Sequence, residues 1–252
     1  MTGIEIRALE ERADLDAAVG LQNETWGYAP GESVPLQMFI IAAGTGGQVF
    51  GAFEAGRMVG FCLAFAGLKP DGRPYLYSHM LAVRPERRDR HIGRALKIEQ
   101  RREALARGIE LVEWTFDPLE LKNAYFNIEI LGAVARRYLP DHWGSTSSPL
   151  HGSVPTDRLV AEWWLRGPLP RGRGSERIAV ATDRPLPRGR GSERVDVDRG
   201  AVVERIAVPE DIGEARRMQA AIGARFLDCF DRGLAVVGFE RGTYLLGKWP
   251  SE

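Results

Sequence analysis

Apolar and polar residues recur along the chain with the two periods that distinguish strands from helices. Alternation with a period of two predicts strands, and apolar residues three or four positions apart predict helices. Glycine and proline mark where most of these segments end. The predicted elements are strand 4–9, helix 14–26 with Asp14 as its N-cap, a helix from near Pro35, a hairpin of 49–54 and 57–65, strand 75–83, helix 92–107, strand 109–116 and helix 119–131.

Strands and helices alternate in this order, which predicts an α/β fold, and the strand–helix–strand unit over 75–116 predicts a parallel strand pair. Downstream, 201–208 predicts a strand and 209–230 a helix, and 234–239 with 243–246 predicts a terminal hairpin. This last segment is too short for a large core of its own. We therefore expect a main domain over 1–165 and a C-terminal α/β segment over 201–252 that packs on it.

The segment between these two parts contains a perfect repeat. The sequence Pro-Leu-Pro-Arg-Gly-Arg-Gly-Ser-Glu-Arg stands at 168–177 and again at 185–194, a period of 17 residues. Two copies are too few for a solenoid, and the repeat has too few apolar residues to bury a core. We interpret 166–200 as a duplicated Pro/Arg/Gly-rich linker insertion. The alternative is an arginine-rich arm for nucleic acid, since 166–199 holds nine Arg against five acidic residues.

Composition and charge exclude several classes of protein. The chain has 252 residues, with 34 Lys and Arg against 34 Asp and Glu, so its net charge favours neither nucleic acid nor an anionic membrane. Two cysteines, Cys62 and Cys229, are too few for a disulfide framework. The most apolar run, 38–43, is far shorter than the roughly 20 residues that span a bilayer. We expect a cytoplasmic protein without a membrane partner, and a homodimer is left open.

Residues 80–96 combine several features that suit a phosphate group. A predicted strand ends at Val83, a charged loop follows, and a helix begins near Ile92. The first N–H groups of a helix lack partners and carry partial positive charge. Residues 84–107 hold nine basic and four acidic residues, and Gly93 and Ala95 leave room for a ligand. The alternative interpretation is a charged, solvated helix start.

The loop also carries a family pattern. Val83-x-Pro85-x-x-Arg88-x-x-x-Ile92-Gly93-x-Ala95-Leu96 resembles the acetyl-CoA loop of the GNAT superfamily of N-acetyltransferases. The family pattern Gln/Arg-x-x-Gly-x-Gly/Ala falls on 88–93, with His91 in place of the first glycine. A register over 90–95 matches the pattern fully, and both remain open. Segments 114–119, 123–127 and 131–133 resemble an uncharacterised family of predicted acetyltransferases within this superfamily.

This resemblance implies a fold and a cosubstrate. The fold would be a mixed, mostly antiparallel sheet with helices on both faces and a V-shaped split between two parallel strands, 75–83 and 109–116. Acetyl-CoA would enter the split, held like an added strand by the backbone of Leu81 and Val83. The residues implied to contact it are Leu81, Ala82, Val83, Arg88, Asp89, Arg90, His91, Ile92, Gly93, Arg94, Ala95, Asn123 and Phe126.

The function implied is acetyl-CoA-dependent acyl transfer, with an amine of a small molecule or protein as acceptor. A non-catalytic acyl-CoA-binding or regulatory module on the same fold is the alternative. Period-two alternation places Tyr77, His79 and Leu81 on one strand face. The imidazole of His79 suits proton transfer near neutral pH, so His79 is the candidate base and Tyr77 the second. A partly buried structural histidine is the alternative for His79.

The remaining candidates lie on either side of this strand in the sequence. The family has a tyrosine four residues before the last motif glycine, where this chain has Ile128, so Tyr125 becomes the candidate acid. Its alternative role is a core aromatic. Glu24, Trp26 and Tyr28 follow the first helix, where the superfamily commonly forms its acceptor pocket. We expect no metal site, since the chain has no His, Cys or carboxylate set at ligand spacing.

Overall fold

The structure is a computed structural model that describes residues 3–29, 31–144, 147–148, 154–167 and 202–249. The strands are β1 (Glu5–Ala8), β2 (Gln48–Glu54), β3 (Arg57–Leu68), β4 (Pro74–Val83), β5 (Leu111–Phe116), β6 (Val134–Leu139), β7 (Arg158–Trp164), β8 (Glu204–Ala207), β9 (Leu234–Glu240) and β10 (Thr243–Lys248). The helices are α1 (Arg12–Trp26), α2 (Leu36–Gly44), α3 (Ile92–Ala106), α4 (Leu121–Tyr125) and α5 (Ile212–Asp231), with a 3₁₀ turn at Pro85–Arg87 and a π-helical turn at Phe126–Ile130.

The chain divides into two compact units, and the first contains the described residues up to 112 together with 147–148. Its sheet has the antiparallel order β1–β2–β3–β4. On one face, Leu21 of α1 and Phe39 of α2 pack against Phe61 of β3. On the other face, Leu96 of α3 packs against Cys62 of β3. The sheet of this unit therefore has helices on both faces, because its strands alternate between two apolar cores.

The second unit contains the described residues from 113 to 144, 154–167 and 202–249. Here β7, β6, β9, β10 and β8 lie side by side. The pairs β6–β7, β6–β9, β9–β10 and β8–β10 are antiparallel. Helix α5 packs on this sheet through Phe226, whose ring stacks on Tyr138 at 5.7 Å and meets Tyr244 edge-on at 5.1 Å. The C-terminal segment thus contributes strands to the same sheet as β6 and β7.

The predicted mixed α/β fold with mostly antiparallel strands is confirmed. The hairpin of β2 and β3 turns at Ala55 and Gly56, whose φ angles are 50° and 76°, the left-handed values that suit a tight hairpin. The V-shaped split and the domain limits at 165 and 200 stay predictions. The repeat at 168–177 and 185–194 lies outside the described residues.

Two element predictions are wrong in detail. Asp14 is not an N-cap, since α1 begins after Glu11, and the Asp14 carboxylate instead accepts hydrogen bonds from Arg7 at 2.5 and 3.0 Å. The predicted helix 119–131 is α4 followed by the π-helical turn. In the described ranges no helix is long and apolar enough to span a bilayer.

Candidate functional site

Strand β4 contains a β-bulge at the candidate base. In its antiparallel pairing with β3, Met80 lies opposite Leu63 and Ser78 lies opposite Ala64, so His79 is an extra residue in the ladder. A bulge leaves the extra residue outside the regular pairing and redirects side chains. It also shifts the alternation of faces by one position, so residues on either side of it no longer follow a single period of two.

The bulge decides which predicted residues share a face. The rings of Tyr77 and His79 lie 6.1 Å apart, and the His79 ring lies 5.7 Å from Phe65, which packs on the α1 and α2 side of the sheet. Leu81 packs on the α3 side. The prediction that Tyr77, His79 and Leu81 share one face is therefore wrong for Leu81, because the bulge lies between them.

Burial changes the pKa of the candidate base, His79. His79 is half-buried among aromatic rings, and removal from water lowers the pKa of its imidazole below the ordinary value of 6.5. Desolvation acts in this direction because it disfavours the charged form of histidine. The imidazole is therefore neutral near pH 7, and a neutral imidazole has a ring nitrogen that can accept a proton.

The loop after β4 has the backbone of an anion site. Asp89 and His91 have φ angles of 60° and 59°, in the left-handed region. A left-handed residue that follows a right-handed or turn residue directs successive N–H groups into a concave nest for anions. The N-cap of α3 is His91, and among the described residues the N–H groups of 91–94 have no acceptor. The fifteen-residue helix α3 thus begins with four N–H groups that are unpaired within the described part of the chain.

This geometry bears on the two motif registers. The left-handed conformation at His91 is the one that glycine adopts without strain, and histidine is among the residues that tolerate it. Gly93 is the second residue of α3 and is not among the residues with a positive φ. The structure therefore favours the register over 88–93, in which His91 stands at the first glycine position, over the register over 90–95.

The arginines of the loop differ in their partners. Arg84 pairs with Glu24 of α1. The guanidinium of Arg87 donates to Glu54 at 2.6 Å, and Arg90 lies 3.6 Å from the same carboxylate. These three arginines are held by carboxylates, so their charge is largely compensated within the protein.

Arg88 and Arg94 stand apart from this group. Arg88 donates its Nε to the carbonyl of Val83 at 3.2 Å. Neither Arg88 nor Arg94 has a carboxylate within 4.0 Å among the residues that the structure describes. Their uncompensated charge lies at the same helix end as the unpaired N–H groups, an arrangement that suits phosphate oxygens.

The acceptor candidates lie at the end of α1. Trp26 and Tyr28 stack with an interplanar angle of 4°, and Trp26 meets Phe61 edge-on at 6.5 Å. Both rings pack against the α1 and α2 side of the sheet, the side on which Tyr77 and His79 lie. The carboxylate of Glu24 is engaged by Arg84. The group therefore presents mainly aromatic surface, and the carboxylate of Glu24 is already paired.

The candidates of the second unit have different exposures. Asn123 and Tyr125 are exposed, and Phe126 is half-buried. Ile128, at the family's tyrosine position, is fully buried and belongs to the core. The alternative role of Tyr125 as a core aromatic is therefore excluded, since 45% of its surface is accessible.

A buried polar cluster behind β4 was not predicted. Lys97 of α3 is 2% exposed, and its Nζ donates to Ser78 Oγ at 2.7 Å and to Gln100 Oε1 at 3.0 Å. Burial lowers the pKa of Lys97 to about 7 and raises the pKa of the nearby Cys62 thiol to about 12. The sequence gives no sign of this cluster, because a lysine on a charged helix usually lies on the solvated side.

Within the described ranges no group of three or more His, Cys, Asp and Glu side chains is placed to hold a metal ion.

Comparison with known families and structures gives consistent results. Residues 16–125 match the family model described as acetyltransferase (GNAT) family. That range contains β4, the loop and α3, and also the candidates from Glu24 to Tyr125. No protein of curated function matches the sequence significantly.

Solved structures resemble the chain in fold. An N-acetyltransferase from Staphylococcus aureus Mu50 has 16% identity and a TM-score of 0.54, over 65% of this chain and 99% of its own. YncA from Salmonella typhimurium, solved with its cofactor acetyl-CoA, has 16% identity and a TM-score of 0.53, over 65% and 94%. A GNAT-family acetyltransferase from Streptococcus pneumoniae has 16% identity and a TM-score of 0.51, over 63% and 97%. At these identities the likeness establishes the fold.

Proposed function

From the premise that residues 16–125 form a domain of the acetyltransferase (GNAT) family, we propose that the protein transfers the acetyl group of acetyl-CoA to an amine acceptor. The acceptor is a small molecule or a protein, and the amine nitrogen attacks the thioester directly. The observation that carries the proposal is the loop after β4, where left-handed residues and four unpaired N–H groups lie beside two uncompensated arginines.

The loop fits the diphosphate of CoA in charge and in hydrogen bonding. The N–H groups of 91–94 would donate to phosphate oxygens, and the partial positive charge at the start of α3 would stabilise them. Arg88 and Arg94 would add charge-assisted hydrogen bonds. Residues 81–83 and 89–95 would line the rest of the CoA chain, with Asn123 and Phe126 as further contacts.

The chemistry requires a proton acceptor and a proton donor. Acetyl-CoA supplies an activated acyl group and a thiolate leaving group. His79, neutral near pH 7, would remove the proton of the attacking amine. A backbone N–H near Leu81, next to the bulge, would stabilise the oxyanion. Tyr125, which is exposed, stays the candidate acid that the family resemblance implies, and Tyr77 is the second candidate for the base.

The aromatic group at the end of α1 would bind the acceptor. Trp26 and Tyr28 offer a flat apolar surface on the sheet side that His79 occupies. Because Glu24 is paired with Arg84, its carboxylate would orient the end of α1 more than attract a cationic acceptor. The proposal therefore favours acceptors with an apolar or aromatic part next to the amine.

The cofactor part of the proposal is tested by matched arginine variants. Arg88→Ala should weaken acetyl-CoA binding by about 1–3 kcal/mol, as expected for a lost charge-assisted contact. Arg87→Ala removes the same charge from the same loop, but that charge is compensated by Glu54, so the effect should be much smaller. Isothermal titration of both variants measures the difference. Equal losses would mean that net charge, and not the loop geometry, governs binding.

A non-catalytic acyl-CoA-binding module remains the second candidate. It is favoured by Ile128, a fully buried residue at the family's tyrosine position that has no proton to donate. A screen of amine acceptors that measures release of the CoA thiol separates the two candidates. An acceptor that releases thiol above background supports the transferase, and acetyl-CoA binding without release by any acceptor supports the module.

A further inference from the structure

Helix α3 contacts strand β4 on both sides of the bulge at His79. On one side, Lys97 Nζ donates a hydrogen bond to the Oγ of Ser78 at 2.7 Å, and Ser78 is 5% exposed. On the other side, Leu81 packs in the apolar core to which Leu96 of α3 belongs. Ser78 and Leu81 thus both face α3, and the bulge lies between them.

The two residues of the bulge lie on the opposite face of the sheet. Met80 packs in the core of the α1 and α2 side, and the His79 ring lies 5.7 Å from Phe65 on that same side. A regular strand alternates between faces, so continuing the alternation back from Leu81 would turn His79 towards α3 and Ser78 away from it. The hydrogen bond of Ser78 on the α3 side therefore requires the bulge, and the bulge sets the direction of His79.

Lys97 is held in place by further buried polar groups. Its Nζ also donates to Gln100 Oε1 at 3.0 Å, and the Nε2 of Gln48 in β2 donates to the backbone carbonyl of Gln100 at 3.0 Å. All three side chains are buried. The donor of Ser78 is therefore fixed from α3 and β2 together, and the network connects β2, α3 and β4.

A lysine at this position is unfavourable for the fold. Lysine is among the residues least often found fully buried, and burial disfavours its charged form. Methionine is also unbranched and fills a core without this cost, so packing alone does not account for Lys97. Departures from such local rules are expected at functional positions. The polar contact to Ser78, next to the bulge, is what a methionine could not make.

We propose that Lys97 and Ser78 are positioning residues that maintain the bulge in β4 and so direct the His79 imidazole to the α1 and α2 side. The proposal rests on the proposed function, in which His79 takes the proton of the acceptor amine. Lys97 and Ser78 are buried on the other side of the sheet. Their hydrogen bond would therefore affect the reaction only through the direction of the imidazole.

Proton NMR tests the direction of the ring without any acceptor. In a deuterated protein with protonated His, Phe and Tyr, the His79 ring should give nuclear Overhauser cross-peaks to the rings of Phe65 and Tyr77, whose centroids lie 5.7 and 6.1 Å away. The chain has four histidines, and the His79→Gln variant assigns the His79 signal. Ser78→Ala removes the acceptor of the hydrogen bond and Lys97→Met removes the donor, so we expect both variants to lose these cross-peaks.

Cys62→Ala is the matched control for a change in the core. Cys62 is fully buried on the α3 side and lies opposite Leu81 in the ladder, but it is outside the hydrogen bond between Lys97 and Ser78. This variant should keep the cross-peaks. Wild-type cross-peaks in Ser78→Ala or Lys97→Met would overturn the proposal, and so would their loss in Cys62→Ala.

Turnover of an identified acceptor separates this proposal from the proposed function. Lys97→Met should lower kcat roughly 10–100-fold, the effect of a misplaced catalytic group, with an unchanged KM for acetyl-CoA and no further loss in His79→Gln. It should also be more stable than the wild type at pH 7, which excludes unfolding as the cause. Equal losses of kcat with and without the imidazole would overturn the positioning role alone. Wild-type turnover of His79→Gln would overturn the proposed base, and the positioning role with it.

Discussion

At the scale of single residues, His79 is the proposed general base, and three features of its surroundings bear on that role. It stands in a β-bulge, its ring lies among Phe65 and Tyr77, and burial lowers its pKa below 6.5. A base with a lowered pKa is already deprotonated at neutral pH. Its activity therefore changes with pH only near and below its own pKa. This distinguishes His79 from a solvent-exposed histidine.

The His79→Gln variant tests this role once an acceptor is identified. Turnover should fall roughly 10²–10⁴-fold, the usual range for loss of a general base, and acetyl-CoA affinity should barely change. In the wild-type protein kcat/KM should rise with pH along a limb whose midpoint lies below 6.5. Tyr77→Phe, which keeps the ring, is the control. Wild-type turnover and pH profile in His79→Gln would make His79 structural.

His91 and Asp89 are the non-glycine residues of the loop that have a left-handed backbone. A left-handed backbone costs a residue with a Cβ roughly 1–2 kcal/mol, and a β-branched residue tolerates it least. His91→Val should therefore lower the free energy of unfolding by about 1–2 kcal/mol and weaken acetyl-CoA binding. His91→Gly should leave stability nearly unchanged, since relief of strain is offset by the greater backbone entropy of glycine.

Thermal unfolding with and without acetyl-CoA measures both effects of the His91 variants. If His91→Val is as stable as His91→Gly and binds as well, then the loop does not need its left-handed residue. In that case the motif register over 90–95, with Gly93 as the first glycine, would have to be reconsidered.

At the scale of elements, helix α3 carries a charge into the core. The unfolded pKa of Lys97 is 10.5 and burial lowers it to about 7. A lysine whose folded pKa is lowered destabilises the fold when it is charged in the unfolded chain, by an amount on the order of 5 kcal/mol at pH 7. This penalty disappears as the pH rises through 10.5, because the unfolded chain then releases its proton too.

The Lys97→Met variant gives the corresponding prediction. The wild-type free energy of unfolding should increase from pH 7 to pH 10.5 as this penalty disappears. Lys97→Met should abolish that increase. Chemical denaturation at a series of pH values measures the difference between the two proteins. Lys122→Met, at an exposed position of α4, is the control and should leave the pH profile as in the wild type. Parallel pH profiles of wild type and Lys97→Met would contradict the burial of this charge.

The existence of several elements could be predicted from the sequence, but the faces of an irregular strand could not. The β2–β3 hairpin, α3 and the β9–β10 hairpin were predicted within a few residues, although each hairpin contains a register shift, at Ala52/Phe53 and at Leu245/Leu246. In β4 the bulge changes the alternation at His79, so the strand was predicted but the face of Leu81 was not. Spacing rules assume an unbroken ladder, and one extra residue invalidates them downstream.

Strands β6 and β7 were missed because charged residues lie inside them. The register of β6 shifts between Ala135 and Arg137, which leaves Arg136 outside regular pairing. Glu162 of β7 is 3% exposed, an exception to the preference of glutamate for the surface. Its partners are Arg136 at 2.7 Å and Arg137 at 3.6 Å, on a strand distant in sequence. Sequence periodicity contains no information about such long-range ion pairs.

The candidate site was only partly predictable for the same reason. The loop, its basic surplus and the candidate residues of β4 could be read from local sequence. Which arginines remain uncompensated depends on Glu24 and Glu54, which come from α1 and β2. Asn127 accepts a hydrogen bond from Trp114 and donates one to Asn123, and the sequence sign of these contacts is two asparagines four positions apart.

At the scale of the whole molecule, the repeat provides a test of the domain interpretation. Deletion of residues 168–184 removes one copy of the 17-residue period. Its composition lacks the apolar residues that a packed segment needs, so melting temperature and acetyl-CoA affinity should be nearly unchanged. Differential scanning calorimetry measures the first and titration the second. A fall of many degrees would show that the segment packs on a core.

The transferase and the binding-module interpretations both require that the loop after β4 binds CoA. The most direct measurement is a calorimetric titration of the full-length wild-type protein with acetyl-CoA. We predict saturable binding of one acetyl-CoA per chain, weakened in Arg88→Ala and retained in Arg87→Ala. A titration of correctly folded wild-type protein that gives no binding would contradict the account, including the transferase and the binding-module interpretations alike.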